Sequence, residues 1–415
     1  MVPALSLLTL WLCCSLGWAE TGKWQVWTDG APLTEGVRSA LVVKDDAPLK
    51  CGPAATERGR GSVAEGARLP IYGTAQGSGC AGRWLLVGPS AWICAAAVAL
   101  SEQPSLAVDE RFLEQPDGLP FRYFFVGRNG SAAYASLALA DDAAPTEELQ
   151  PGFAVAAVEE RHKGQDPYVR THHGKWVPKR DLVPVHGIGF HGEDIAAGDL
   201  GLGWVLDDKS PVFTSTSGTT RRGTRARWEV VAVQAHHGSG HKAMVKVADD
   251  SWMRASDLRV PTSTAPPPEV QEGERWLDLE LATQVIVAYQ GRVPVFATLA
   301  STGKGKQGTE LATPKGVHRI WVKLRTSTMD NIEDENATST YAIEDVPYVQ
   351  YFSKGAGLHA AFWHKGFGRV KSHGCVNLAP LDAQRLFAFT SPRLPAGWSA
   401  VLPTTAEPGT VVRVR

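Results

Sequence analysis

Cys375 is the only cysteine beyond residue 94, and it stands in Ser372-His373-Gly374-Cys375-Val376-Asn377 with another histidine, His359, upstream. A cysteine attacks as the thiolate, so it needs a neighbour that lowers its pKa or takes its proton, usually a histidine. His359 is joined to the cysteine by a loop rich in glycine and aromatics, long enough to fold back and bring the imidazole beside the thiol. His373 is too close in sequence to be the easy choice of base, because a tight turn aims its ring elsewhere. Gly374 lets the backbone turn so that the N–H groups around His373, Gly374 and Cys375 point at one spot, where an oxyanion would sit. A lone cysteine is more often a small buried hydrophobe, but Ser-His-Gly-Cys with a second histidine reverses that balance. A zinc site from His359, His364, His373 and Cys375 is the other rival. It lacks the short paired spacings, C-x-x-C or H-x-x-x-H, that such sites favour.

These residues resemble the signature of the L,D-transpeptidases, the YkuD-type catalytic domain of bacterial cell-wall enzymes. The resemblance runs from Trp276 to about Val401 and includes Thr313-Pro314-Lys315-Gly316, similar to the family's strand-opening T-P-x-G. It implies Cys375 as nucleophile and His359 as base. It also implies Ala360 as the carbonyl that orients the base, and His373, Gly374 and Cys375 as the oxyanion hole. Ser372, Asn377 and Arg369 join Ala360 as candidate orienting or substrate-facing residues. The implied substrate is a peptidoglycan stem peptide, of the diaminopimelate type, and neither metal nor organic cofactor is required. The same machinery with water as acceptor is an L,D-carboxypeptidase, and a non-catalytic wall-binding protein is the remaining alternative. Twelve residues separate His359 from Ser372, at the short end for the family, which bears on the acceptor side of the cleft.

The elements that must position this site read as strands. Trp276 to Leu281 alternates with period two, as a half-buried strand does. Val285 to Tyr289, a Gln290-Gly291 turn and Val293 to Ser301 read as a hairpin. His318 to Leu324 is a further alternating strand. Ser327 to Thr340 is polar and separates two strands, as a solvated loop or a lid, and the resemblance favours the lid. Pro380 to Phe389 has a helical stripe in Leu381, Arg385, Leu386 and Phe389, with Asp382 suited to the helix dipole. The expected fold is mainly β: a YkuD-type sandwich or barrel-like catalytic domain over 275–402 with a short helix, preceded by small β-barrels.

The chain has 415 residues, enough for about three domains. A net charge of −1 with 20% charged residues offers no basic field for nucleic acid, and none is expected as a partner. The mild excess of Lys and Arg beyond residue 275 suits an anionic wall peptide and equally a solvated surface. Residues 1–19 are apolar from Leu5 to Leu16 and close on Gly17-Trp18-Ala19, which reads as a secretory signal, although no Lys or Arg opens it. Cleavage near Ala19 is preferred, and a membrane anchor follows only if Cys13 or Cys14 is lipidated. Export to the periplasm or wall is therefore expected, with Cys51, Cys80, Cys94 and Cys375 remaining. Cys80 and Cys94 are expected to pair, with Cys51–Cys80 or Cys51–Cys94 as alternatives, and Cys375 must stay reduced.

Three similar stretches follow. Trp92, Trp176 and Trp252 each precede a second apolar residue by six positions, Val98, Leu182 and Leu258, at intervals of about 80 residues. They loosely resemble bacterial SH3-like barrels and delimit modules at 20–105, 120–187 and 200–260. A Pro- and Thr-rich linker, 261–274, then leads into the catalytic domain.

Overall fold

The computed structural model describes residues 36–105, 116–332 and 340–415. The leader with Cys13 and Cys14, and part of the expected lid, lie outside the described residues. The protein is mainly β, and Pro380–Phe389 is the one α-helix among the described residues. The chain folds as two compact units. Among the described residues, one takes 36–105 with Ala396–Trp398 and Thr404–Pro408, and the other takes the rest.

In the first unit Trp84–Gly88 and Ala91–Cys94 pair as a hairpin. Cys94 is joined to Cys80, the first of the expected pairings, and Cys51 is a free thiol. The tryptophan repeat has one local structure in all three copies. The strands Ala91–Cys94, Trp176–Pro178 and Ser251–Arg254 each run into a 3₁₀ turn, at Ala95–Ala97, Lys179–Asp181 and Ala255–Asp257. Each turn delivers a short strand that begins at Val98, Leu182 or Leu258. The spacing of six therefore spans one tight turn, after which Leu182 and Leu258 return to the interior.

The C-terminal part of the second unit is built from two sheets. In one, Arg275–Glu280 pairs antiparallel with Val285–Gln290, which pairs with Val293–Ser301 as the expected hairpin. On its other side Arg275–Glu280 runs parallel to Val411–Val414, so this sheet continues beyond residue 402. The second sheet contains Val322–Asp330, Ala342–Ser353, Ala356–Ala360 and Val376–Leu378 in that order. Val293–Ser301 serves both sheets, because Ala300 and Ser301 leave the first and pair with Leu378 and Asn377. Leu277, Ile286, Phe296, Leu358, Val376 and Leu386 meet in the core, which also receives the helix.

Two expectations about the strands differ from what is found. His318 to Leu324 is not one strand: Gly316–Arg319 pairs with Val411–Val414 in the first sheet, and the strand of the second sheet starts at Val322. The switch occurs at Ile320, whose N–H bonds Thr410 O at 3.0 Å while Gly409 lies so close to Ile320 O that no side chain would fit there. Ser327 to Asp330 is not loop but the end of Val322–Asp330, pairing with Ala342 to Val346. Asp382 lies in the first turn of the helix, as expected, but its carboxylate is engaged elsewhere. It is buried and accepts from Gly192 N–H at 2.8 Å and from Thr298 Oγ1, and burial pushes its carboxyl up to about 6. The 261–274 segment is pinned rather than free, since Arg413 donates to Thr264 Oγ1 and Ala265 O, and Arg319 to Glu269 O.

Lys323 is fully buried, its Nζ donating to Phe387 O at 2.6 Å and Thr390 O at 2.9 Å at the helix C-terminus. A cation suits that end of the dipole and satisfies carbonyls the helix cannot. Lys323→Met keeps the apolar stem but orphans both oxygens. It is expected to cost about 2–3 kcal/mol in denaturant unfolding, and an unchanged midpoint would refute this role.

Candidate active site

The site rests on two short neighbouring strands that run parallel, Ala356–Ala360 and Val376–Leu378, in the register Leu358 with Val376, His359 with Asn377 and Ala360 with Leu378. Successive side chains on a strand point to opposite faces. Leu358, Ala360, Val376 and Leu378 all enter the core, so His359 and Asn377 share the opposite face. Cys375 stands two residues before Asn377, in the bend that enters the same strand. The loop between the strands therefore does fold back, because two parallel neighbours require a crossover rather than a tight turn.

His359 is 2% exposed. Its Nδ1 lies 2.9 Å from Ala360 O, and a carbonyl only accepts, so Nδ1 carries the proton and the lone pair is on Nε2. The ring lies against Trp363 with centroids 5.7 Å apart. Burial pushes its pKa down to about 4, so the imidazole is neutral and basic at neutral pH. Burial also raises the Cys375 thiol, which donates to Gly355 O, while the Gly357 N–H opposes that rise. Both groups are thus uncharged at rest, a thiol and a neutral imidazole rather than a preformed ion pair.

The cysteine turn is held by hydroxyls. Ser372 Oγ donates to Cys375 O and accepts from Gly374 N–H at 3.2 Å. The Gly374 N–H is thereby engaged, which differs from the expectation that it faces an oxyanion; the N–H groups of His373 and Cys375 remain the candidates. Gly374 has φ +126°, and a Cβ there would come within 3.0 Å of Glu310 O. Thr313, the threonine of T-P-x-G, is buried; its Oγ1 accepts from Gly303 N–H at 2.9 Å and donates to Gly374 O at 2.8 Å.

The remaining residues have distinct places. The His373 ring is exposed and stacks on Tyr341 at 6.0 Å, and burial with the charge of Lys304 lowers its pKa. His364 Nδ1 accepts from Gly366 N–H at 3.0 Å, so its proton is on Nε2, 2.9 Å from the Asn377 amide. That amide must then present its oxygen to the ring. Asn377 and His364 thus tie the strand to the crossover loop. Arg369 does not turn toward the thiol but pairs with Asp207 at 2.5 Å. Beside it Arg259 donates to Gly368 O at 3.0 Å, and Arg227 to Lys365 O. The loop is clamped by the 200–260 segment, a role no local motif announces.

Tyr341, Tyr351 and Trp363 were not legible as site residues, and His364 was legible only as a ligand of the rival zinc site. Burial raises the phenols of Tyr341 and Tyr351, and the adjacent Cys375 adds to it. Alternation along Ala342–Ser353 was the available signal for Tyr351; nothing in the sequence places Tyr341 by His373.

Thr313→Val keeps the volume but leaves Gly303 N–H and Gly374 O without their buried partner. We expect a loss of about 2–4 kcal/mol of stability and a slowed alkylation of Cys375 by iodoacetamide. Wild-type values in both measurements would remove Thr313 from the support of the turn.

The family described as YkuD, the L,D-transpeptidase catalytic domain, matches residues 274–414. No curated protein matches the chain. Among solved structures, a mutant Enterococcus faecium L,D-transpeptidase is 24% identical with a TM-score of 0.27, over 38% of this chain and 55% of that one. An L,D-transpeptidase from Stackebrandtia nassauensis is 24% identical with a TM-score of 0.24, over 37% of this chain and 61% of that one. One from Mycobacterium smegmatis is 13% identical with a TM-score of 0.26, over 60% and 91% respectively. The chain spans about half the length of the E. faecium protein it matches. Residues 274–414 are a YkuD-type L,D-transpeptidase catalytic domain.

Proposed function

We propose that the protein is an exported, cysteine-dependent L,D-transpeptidase acting on peptidoglycan stem peptides. The observation that carries this reading is the parallel register that sets His359 beside Asn377, two residues after Cys375, with the imidazole locked as the tautomer that offers Nε2. In the first step the Cys375 sulfur attacks the amide carbonyl after the third stem residue, a diaminopimelate-type centre, as His359 Nε2 takes the thiol proton. The N–H groups of His373 and Cys375 receive the oxyanion. The carbon–nitrogen bond breaks, and the proton returns from His359 to the leaving amine of D-Ala. An amine of another stem or of a wall-anchored protein then attacks the thioester and restores the thiol.

Export is supported by the apolar stretch within 1–19 and by the Cys80–Cys94 disulfide, which persists in oxidising compartments. No helix among the described residues is long and apolar enough to cross a membrane. The three Trp-turn-strand segments are assigned as SH3-like modules that position the enzyme on the wall, the third by gripping the crossover loop.

Mass spectrometry of the full chain incubated with tetrapeptide stems tests the reading. A thioester adduct on Cys375 and cross-linked dimers are expected. Release of D-Ala without dimers in the presence of acceptor would make water the acceptor, and no adduct at all would leave a wall-binding protein.

Cys375→Ala should abolish the adduct in a protein that is folded by circular dichroism. His359→Ala should slow acylation by about 10²- to 10⁴-fold. His373→Ala keeps its N–H and should cost less. Acylation by a β-lactam isolates this step, and a greater loss in the His373 variant would reassign the base.

The same assay carries a pH test. A base whose pKa is lowered to about 4 is unprotonated at every higher pH, so the acylation rate should stay level from about pH 5.5 to 8 and fall only toward pH 4. A rate that climbs steadily through neutral pH would mean that free thiolate, not the His359-assisted thiol, reacts.

A further inference from the structure

Away from the thiol, His172, His173 and Asp345 bring three ligand atoms together within 4.8 Å of one another. The two histidines occupy the turn after Asp166–Thr171, and Asp345 comes from Ala342–Ser353, 173 positions further along the chain from His172. Both rings address one carboxylate oxygen: His172 Nδ1 lies 3.2 Å and His173 Nε2 3.1 Å from Asp345 Oδ2. The other oxygen is held by Thr326 Oγ1 at 3.0 Å, which fixes the carboxylate so that Oδ2 faces the rings. The carboxylate side chain is 5% exposed, whereas the imidazoles are 39% and 48% exposed.

We propose that this cluster is a binding site for a divalent transition metal, zinc foremost, with His172 Nδ1, His173 Nε2 and Asp345 Oδ2 as ligands and solvent in the remaining position. Zinc takes nitrogen and carboxylate ligands at about 2.0–2.2 Å in a tetrahedron, whose edges are then about 3.3 Å. The two nitrogen-to-oxygen separations are already close to that edge, all three ligand atoms lie within 4.8 Å of one another, and rotation of the two exposed rings about the fixed carboxylate closes the nitrogen-to-nitrogen edge. The donor set suits zinc, nickel or copper and excludes magnesium or calcium, which require oxygen ligands. Thr326 supplies the hydrogen bond that orients a ligating carboxylate. The nearest cation, Lys175, is paired with Glu147. An ion here would pin the His172–His173 turn to the strand whose neighbour, Ala356–Ala360, bears His359. It would do so structurally, without touching the thiol.

The test uses the full, disulfide-intact chain stripped with chelator, dialysed against zinc chloride and analysed for bound metal, with cobalt(II) as spectroscopic probe. One zinc per chain is expected, together with a rise in melting temperature. Cobalt should show visible bands of nitrogen and oxygen ligation without a thiolate charge-transfer band. The double variant His172→Ala/His173→Ala changes two exposed side chains in a turn, so it should fold and lose both the metal and the thermal shift. Asp345→Asn, if folded, should do the same. Zinc at background level, retention by the double variant, or a thiolate band that places cobalt on a cysteine would each overturn the site.

Discussion

The parallel pairing of Ala356–Ala360 with Val376–Leu378 is the constraint on which the site depends. Each strand contributes two apolar side chains to one core, and burial of Leu358, Ala360, Val376 and Leu378 sets the register against any one-residue slip. A slip would turn His359 into the core and a leucine into the cleft. The hydrophobic effect, acting on residues that do no chemistry, thereby aims the residues that can.

Parallel neighbours also require a crossover, and this one contains no helix. Its stability is borrowed. Phe362 packs on Tyr123 at 4.1 Å, Phe367 on Phe190 at 5.9 Å, and Arg369 pairs with Asp207, so segments far upstream grip the loop between base and thiol. The stretch from Tyr123 to Asp207 thus helps to hold the geometry of the candidate site. Exposed ion pairs contribute little individually, and the buried aromatic contacts carry most of this grip.

Burial has a second consequence, electrostatic rather than steric. Desolvation lowers the imidazole and raises the thiol, and no charged partner in the cleft offsets either shift. The resting pair is neutral, so in the proposed reaction charge develops only during attack, where backbone N–H donors of the cysteine turn would receive it. Ser372, Thr313 and Gly374 hold that turn from behind, and each fits its place for a separate physical reason: a hydroxyl that bridges, a hydroxyl that both donates and accepts, and a residue free to adopt positive φ.

How much of this the residue order determines can be read element by element. Alternation marked Arg275–Glu280 and the Val285–Ser301 hairpin, helical spacing marked Pro380–Phe389, and Ser-His-Gly-Cys with His359 marked the candidate thiol and base. All of these are local signals, in which side-chain type and period act within a few residues. The break at Ile320, the burial of Asp382, the turning of Arg369 toward Asp207, the stacking of Tyr341 on His373 and the meeting of His172 and His173 with Asp345 are decided only by the tertiary structure. Each depends on two segments distant in sequence, and the energy that fixes it, burial or a contact between separate strands, does not exist until those segments have packed.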